Sequence, residues 1–291
     1  MPSVSSAIIK TIIYADLFDY PLTAEEIFKR IIKCPSVSKI QLHRALSKTK
    51  DIREKNNFYF LKGRKNIIKI RKKRENYSKE KLKIAKKAVN LLKYIPTVKL
   101  IGISGNLAIN NAEKNDDIDF FIISSADFLW TTRLAAILIL ELAGMRRRRD
   151  DKNIKDKICL NMFIDENHLA IPKKERDLFS AHEVVQMKSL YDREGIYNKF
   201  LQANIWVKKY LPNAFEEDGK RFRYFLKRKN KKTFNLLVSK VNILEKICRF
   251  FQLYYLRKHK TREVIKNGFV RFHPHDAREW ILKKYSLKVT T

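Results

Sequence analysis

The sequence predicts an α/β protein, with a mixed-sheet core between an N-terminal unit of three helices and a hairpin and a helical C-terminal region. Three observations carry that prediction. Residues Thr97 to Ser124 read as strand, tight turn, short helix and second strand. Residues 5–71 show helical spacing three times and then two short apolar runs about an Asn-Asn turn. Beyond Pro172 the apolar spacing is helical to the end. The expected divisions are 1–75, 76–171 and 172–291.

In the first division, Ala7-Ile8-Ile9, Ile12-Ile13 and Leu17-Phe18 recur at helical spacing and stop before Tyr20-Pro21. Thr23 caps a second helix over Ala24 to Ile32, with Glu26 completing a capping box. Ser36 or Ser38 opens a third through Ile40, Leu42 and Leu46. Ile52 to Lys55, the turn Asn56-Asn57 and Phe58 to Leu61 form a hairpin closed by Gly63. This order resembles winged helix-turn-helix domains. That resemblance implies a third helix able to enter a DNA groove, with Lys39, His43, Arg44, Lys48 and Lys50 on its positive face. The alternative use of such a module is packing or protein contact.

A lysine-rich helix is expected over Arg64 to Tyr94, ended by Pro96, with the boundary to the core between Arg74 and Lys79. Then comes the central stretch. Ser104-Gly105-Asn106 follows an apolar strand, tolerates a sharp turn and leaves N–H groups that suit a phosphate. On the second strand Asp117 and Asp119 fall on one face, roughly 7 Å apart by strand geometry. Two acids in an otherwise apolar run cost on the order of several kcal/mol unless donors or a metal compensate them.

Ser104-Gly105-Asn106, a spacer of ten residues and Asp117-Ile118-Asp119 together resemble the signature of the polymerase-beta-like nucleotidyltransferase superfamily. The resemblance implies an NTP whose β- and γ-phosphates lie on Ser104, Gly105 and Asn106, Mg²⁺ (or Mn²⁺) held by Asp117 and Asp119, and attack on the α-phosphate by an acceptor hydroxyl. Asn106 departs from the commoner Ser or Gly, though its amide can bond a phosphate oxygen. Members usually bring a third acid from a later strand. Over Lys157 to Ile164 the matching position is Asn161, a weaker Mg²⁺ ligand and no base near neutral pH. Asp165 and Glu166 lie just beyond and read as solvated loop charges.

A buried helix is expected over Ala126 to Met145, too short in its uninterrupted apolar part to span a bilayer. Arg146 to Arg149 after it suit the negative end of that helix, or alternatively a phosphate. Further helices are expected over Glu175 to Leu190, Tyr197 to Leu211 and Thr233 to Tyr255, with His182 and Glu183 as core polar residues. Phe272-His273-Pro274-His275-Asp276 has metal-ligand types, but Asp276 is better placed as the cap of a closing helix.

The 291 residues allow a substantial core without staples, and Cys34, Cys159 and Cys248 have neither disulfide nor zinc spacing. Reduced thiols and no evident secretory signal point to the cytoplasm. The formal net charge of +32 suits a polyanionic partner, yet it is spread along the chain, with local clusters at Arg146 to Arg149 and Lys227 to Lys232. The expected partners are therefore an NTP, an unidentified hydroxyl acceptor and, through the winged helix and basic surface, nucleic acid, but no membrane. The expected function is Mg²⁺-dependent transfer of a nucleoside monophosphate. The alternative is a weakened or inactive nucleotide-binding or DNA-binding regulator.

Overall fold

The computed structural model describes residues 3–34, 37–215, 238–258, 264–272 and 277–290. The N-terminal unit has the expected elements. Helices α1 (Val4–Asp16), α2 (Ala24–Lys29) and α3 (Lys39–Lys48) precede strands β1 (Ile52–Lys55) and β2 (Phe58–Leu61). Thr23 with Glu26, and Ser38 with Gln41, form reciprocal capping boxes. Asn56 and Asn57 both take positive φ, which gives the hairpin a twist matching its antiparallel strands. The second helix stops at Lys29, three residues before its expected end. Ile31 and Ile32 remain buried without helical backbone.

Helix α4 (Ile67–Leu92) runs unbroken through the stretch expected to separate the first two divisions. Its N-terminal half is fastened to the helix and hairpin unit by Arg71. That guanidinium donates to Glu26 at 2.7 Å and stacks over Tyr20 and Phe58, at 4.2 and 4.6 Å from the ring centres. Its C-terminal half buries Ala85, Ala88, Val89 and Leu92 against the sheet.

The central sheet has six strands in the order β6-β3-β4-β5-β8-β7. They are β3 (Val98–Ile103), β4 (Ile118–Ser124), β5 (Ile158–Asp165), β6 (Lys188–Asp192), β7 (Val264–Lys266) and β8 (Phe269–Arg271). Only β4 and β5 run parallel, joined over one face by α6 (Leu129–Leu142), so the sheet is mixed as expected. The short α5 (Gly105–Ala108) links β3 towards β4.

The expectation of helix throughout the last third is corrected. Helix α7 (Leu178–Gln186) gives way to β6, α8 (Ile196–Ala203) continues into a 3-10 turn, and α9 (Val238–Lys258) and α10 (Ala277–Thr290) flank the β7–β8 hairpin. Residues after Pro172 thus supply both edges of the sheet. The edges are short, three to five residues, and their apolar runs too brief to show a period of two.

Strand alternation sorts the core into two layers. Ile101, Ile103, Ile118, Phe120 and Ile122 face α4, α6 and α9. Leu100, Phe121 and Ile123 face α7, α8 and Tyr14 of α1. Asp119, two residues before Phe121 on β4, shares the second face. That choice of face decides what surrounds it.

Candidate functional site

The turn after β3 and the start of β4 are held against each other by backbone. Ser104 N–H donates to the Asp119 carbonyl at 3.1 Å. Gly105 has φ +62°, and a Cβ there would stand 3.4 Å from Asp119 Oδ2. The predicted glycine turn therefore abuts the predicted acid pair. Asp117 lies one residue before β4, positioned by the loop that precedes it. Lys81, on α4 and fully buried, donates to the carbonyls of Lys114 and Asp116 at 3.2 and 2.6 Å and to Asp156 at 2.7 Å.

Asp117, Asp119 and Cys159 each offer a ligand atom, and the three atoms lie within 4.8 Å of one another. Cys159 stands opposite Asp119 in the parallel register of β4 and β5. Asn161 comes two residues later, where the register slips so that Leu160 and Met162 pair with the adjacent Phe120 and Phe121. It is 3 % exposed and lines the same cavity as Asp119. The side chain that β5 brings to the two carboxylates is thus a thiol, which sequence reasoning missed.

The electrostatics follow from crowding. Burial, and then the neighbouring Asp117 charge, push Asp119 up to about 7, against a hydrogen bond from Cys159 and the charge of Arg147. Burial also pushes the Cys159 thiol well above its ordinary value, with Asp119 adding to it. Burial pulls Arg147 down, but Asp117 beside it more than reverses that. Arg147 donates directly to Asp117 Oδ2. Its neighbours Arg146 and Arg148 instead pair with the Glu141 carboxylate in the last turn of α6. Arg147 is set apart because its backbone runs beside β5, with its N–H bonded to the Ile158 carbonyl at 2.9 Å.

No protein-family model matches the chain, and comparison with curated proteins gives no match. Its chemistry is therefore read from the geometry.

Beside the acid pair is a cavity of about 500 Å³, whose lining includes Ser104, Gly105, Asn106, Asp119 and Asn161. The lining also includes His182 and Glu183 of α7, expected as core polar residues; His182 is indeed buried. Burial, with the Arg30 charge adding, lowers His182 to about 3, so the ring is neutral. Burial raises Glu183 to about 7, opposed by Arg271. Asp165 and Glu166 are elsewhere. Asp165 is buried against His168 at 2.6 Å, and Glu166 accepts from the Ala126 N–H at 3.1 Å.

On the N-terminal unit, Lys39, His43, Arg44, Lys48 and Lys50 are exposed on or just after α3. Nearby, a side-chain hydrogen bond with Lys65, and then the like charges of Lys65 and Lys69, lower the Lys55 pKa, which marks a basic face on the hairpin and α4. Lys227 to Lys232 and His273 to Asp276 lie outside the described residues. Among the described residues no helix is long and apolar enough to cross a membrane.

Proposed function

We propose that the chain is a polymerase-beta-like nucleotidyltransferase that moves a nucleoside monophosphate from an NTP to a hydroxyl acceptor and releases pyrophosphate. The observation that carries the reading is the meeting of Asp117 and Asp119, inside 4.8 Å, with the Gly105 turn against Asp119 and a cavity lined by that turn and Asp119.

The donor set bears on the cation. Two carboxylates drawn together at the cost of a raised Asp119 pKa fit a divalent ion, and their hard oxygens suit Mg²⁺ or Mn²⁺. Asp117 and Asp119 would hold it. The thiol of Cys159 is a poor partner for Mg²⁺, so the two acids are the ligands assigned. When bound, the ion supplies charge neutralisation on the phosphates and polarises the reacting phosphoryl oxygen.

The chain's own groups do the rest. Ser104 offers its hydroxyl, and Gly105 and Asn106 their backbone N–H groups and the Asn106 amide, to the β- and γ-phosphates, and the positive φ at Gly105 lets the turn come close. Arg147 neutralises Asp117. Asn161 lines the cavity without a charge. Cytoplasmic location is part of this proposal, since NTP and reduced thiols coexist there.

The rival is a regulator that binds nucleotide or DNA without turnover. Two features favour it: the thiol in place of a third acid, and the exposed basic residues of α3. Calorimetric titration of ATP, GTP, CTP and UTP with Mg²⁺ separates the cases. Metal-dependent binding by the wild type that is lost in Asp117→Ala/Asp119→Ala supports the site. Absence of binding by every nucleotide sinks it and moves attention to DNA.

A further inference from the structure

On the strength of that reading, we infer that Glu183 is the base of the reaction and that the wall of the cavity formed by α7 is the seat of the hydroxyl acceptor. The first ground is position. Glu183 lines the cavity shared by Asp119 and the Ser104 turn, close enough to Asp119 for its charge to disfavour ionisation there. The carboxylate is half-buried, and among the described residues it makes no hydrogen bond or ion pair. A carboxylate enclosed in that way costs stability unless something polar joins it. Structural acids in this fold are engaged, as Glu175 is with Arg271 at 2.9 Å and Glu245 with the N–H of Trp130 at 2.7 Å.

His182 supplies the second ground. It is 3 % exposed, lines the same cavity, and its Nε2 makes no hydrogen bond. The Gln186 amide nitrogen lies 3.3 Å from Nδ1, which places the ring proton on Nε2. A neutral N–H donor and a free carboxylate on consecutive residues match the two needs of a hydroxyl group, one hydrogen bond accepted and one donated. Tyr14 stacks flat on the His182 ring at 4.0 Å, and Phe121 and Phe179 add apolar wall. The seat therefore fits a small hydroxyl-bearing compound with one apolar face, within a cavity of about 500 Å³.

In the step assigned to it, the acceptor O–H proton passes to the Glu183 carboxylate as the oxygen bonds to the α-phosphorus. The bond from that phosphorus to the β-phosphate bridging oxygen breaks, and pyrophosphate leaves with the electron pair. Glu183 then returns the proton to solvent. The titratable and charged groups that face it are Asp119 on β4, Tyr14 on α1 and Arg271 on β8. Burial raises its proton affinity, Arg271 opposes that, and the net result, about 7, is where a general base works near neutral pH.

The test measures binding and turnover on the full chain, with Mg²⁺ and each common NTP, and with water and glycerol as hydroxyl probes. Glu183→Gln is expected to bind Mg²⁺·NTP within about twofold of wild type and to release pyrophosphate about 100-fold more slowly or worse, losing the rise of rate through pH 7. Glu183→Asp keeps the carboxylate and recovers part of the rate with a displaced pH limb. If Glu183→Gln, folded by thermal melt, keeps the wild-type rate and pH profile, the assignment is wrong while the transfer reading stands. If the wild type binds no NTP or releases no pyrophosphate to either probe, the transfer reading fails and the role of Glu183 goes with it.

Discussion

The Arg147 guanidinium donates to the Asp117 carboxylate, so the acid pair carries its own counter-charge. Asp117 is 13 % exposed and Arg147 30 %, which makes this a partly shielded ion pair. Removing the arginine leaves Asp117 and Asp119 facing each other with only the Cys159 hydrogen bond to relieve them. Arg147→Met is therefore expected to lose about 1–3 kcal/mol of stability without divalent metal, the range for an ionised group deprived of its partner. Mg²⁺ should restore more stability to the variant than it adds to wild type. Thermal melts of both proteins with and without Mg²⁺ check this, and equal metal responses would disprove it.

Lys81 fixes the approach to Asp117 by a different route. Its ammonium is buried on α4 and spans two carbonyls and the Asp156 carboxylate. Lys81→Met keeps the apolar stem and removes every donor, leaving the Lys114 and Asp116 carbonyls unmet. About 2–3 kcal/mol should be lost in denaturant unfolding, since Asp156, 35 % exposed, can recover water. Mg²⁺-dependent nucleotide binding should weaken in the same variant because Asp117 directly follows the anchored carbonyl.

Some of this was legible in the sequence and some was not, for physical reasons. The inward face of Asp119 follows from alternation along β4, and the Gly105 turn from a residue that accepts positive φ, whereas Asp117, expected on the same strand, stands one residue before it and is set by the loop. Cys159 was not legible, because the register of β5 against β4 slips at Asn161 and counting along the strand cannot see a slip. Glu183 was unreadable for another reason. Its neighbour Asp119 comes from a distant strand, and only the packing of α7 on the sheet makes them face the same cavity. The β7–β8 hairpin did leave a signal, Asn267-Gly268 between two apolar pairs, which the helical spacing around it obscured. Lys81 is one lysine among many on α4, and sequence gives no means to single out the buried one.

Glu183 also predicts a pH dependence of stability. Its folded pKa is raised to about 7 by burial, above the ordinary value of 4.5, so the folded state binds more protons than the unfolded one between those limits. The sign is that stability falls as pH rises from near 4.5 to about 7 and is level beyond. The penalty at pH 8 is on the order of 3 kcal/mol as an upper bound, from about 1.4 kcal/mol per pH unit. Glu183→Gln should therefore stabilise the chain at pH 8 by about 1–3 kcal/mol and change little at pH 5. Urea unfolding at the two pH values measures it, and a variant less stable at pH 8 would show that the carboxylate has a favourable partner.

Gly105 and Gly63 separate backbone strain from a role at the site. Both have positive φ, +62° and +87°, so alanine at either costs on the order of 1–2 kcal/mol from the left-handed conformation. At Gly63 a Cβ meets nothing within 4 Å, whereas at Gly105 it stands 3.4 Å from Asp119 Oδ2, inside the space where the turn meets the acid pair. Gly105→Ala should weaken Mg²⁺·NTP binding about tenfold, roughly 1.4 kcal/mol, while Gly63→Ala leaves the affinity at the wild-type value. Calorimetry on both variants, alongside their melting temperatures, isolates the effect. If Gly105→Ala binds as tightly as Gly63→Ala, the turn is not where the phosphates lie, and the cavity must take the nucleotide in another orientation.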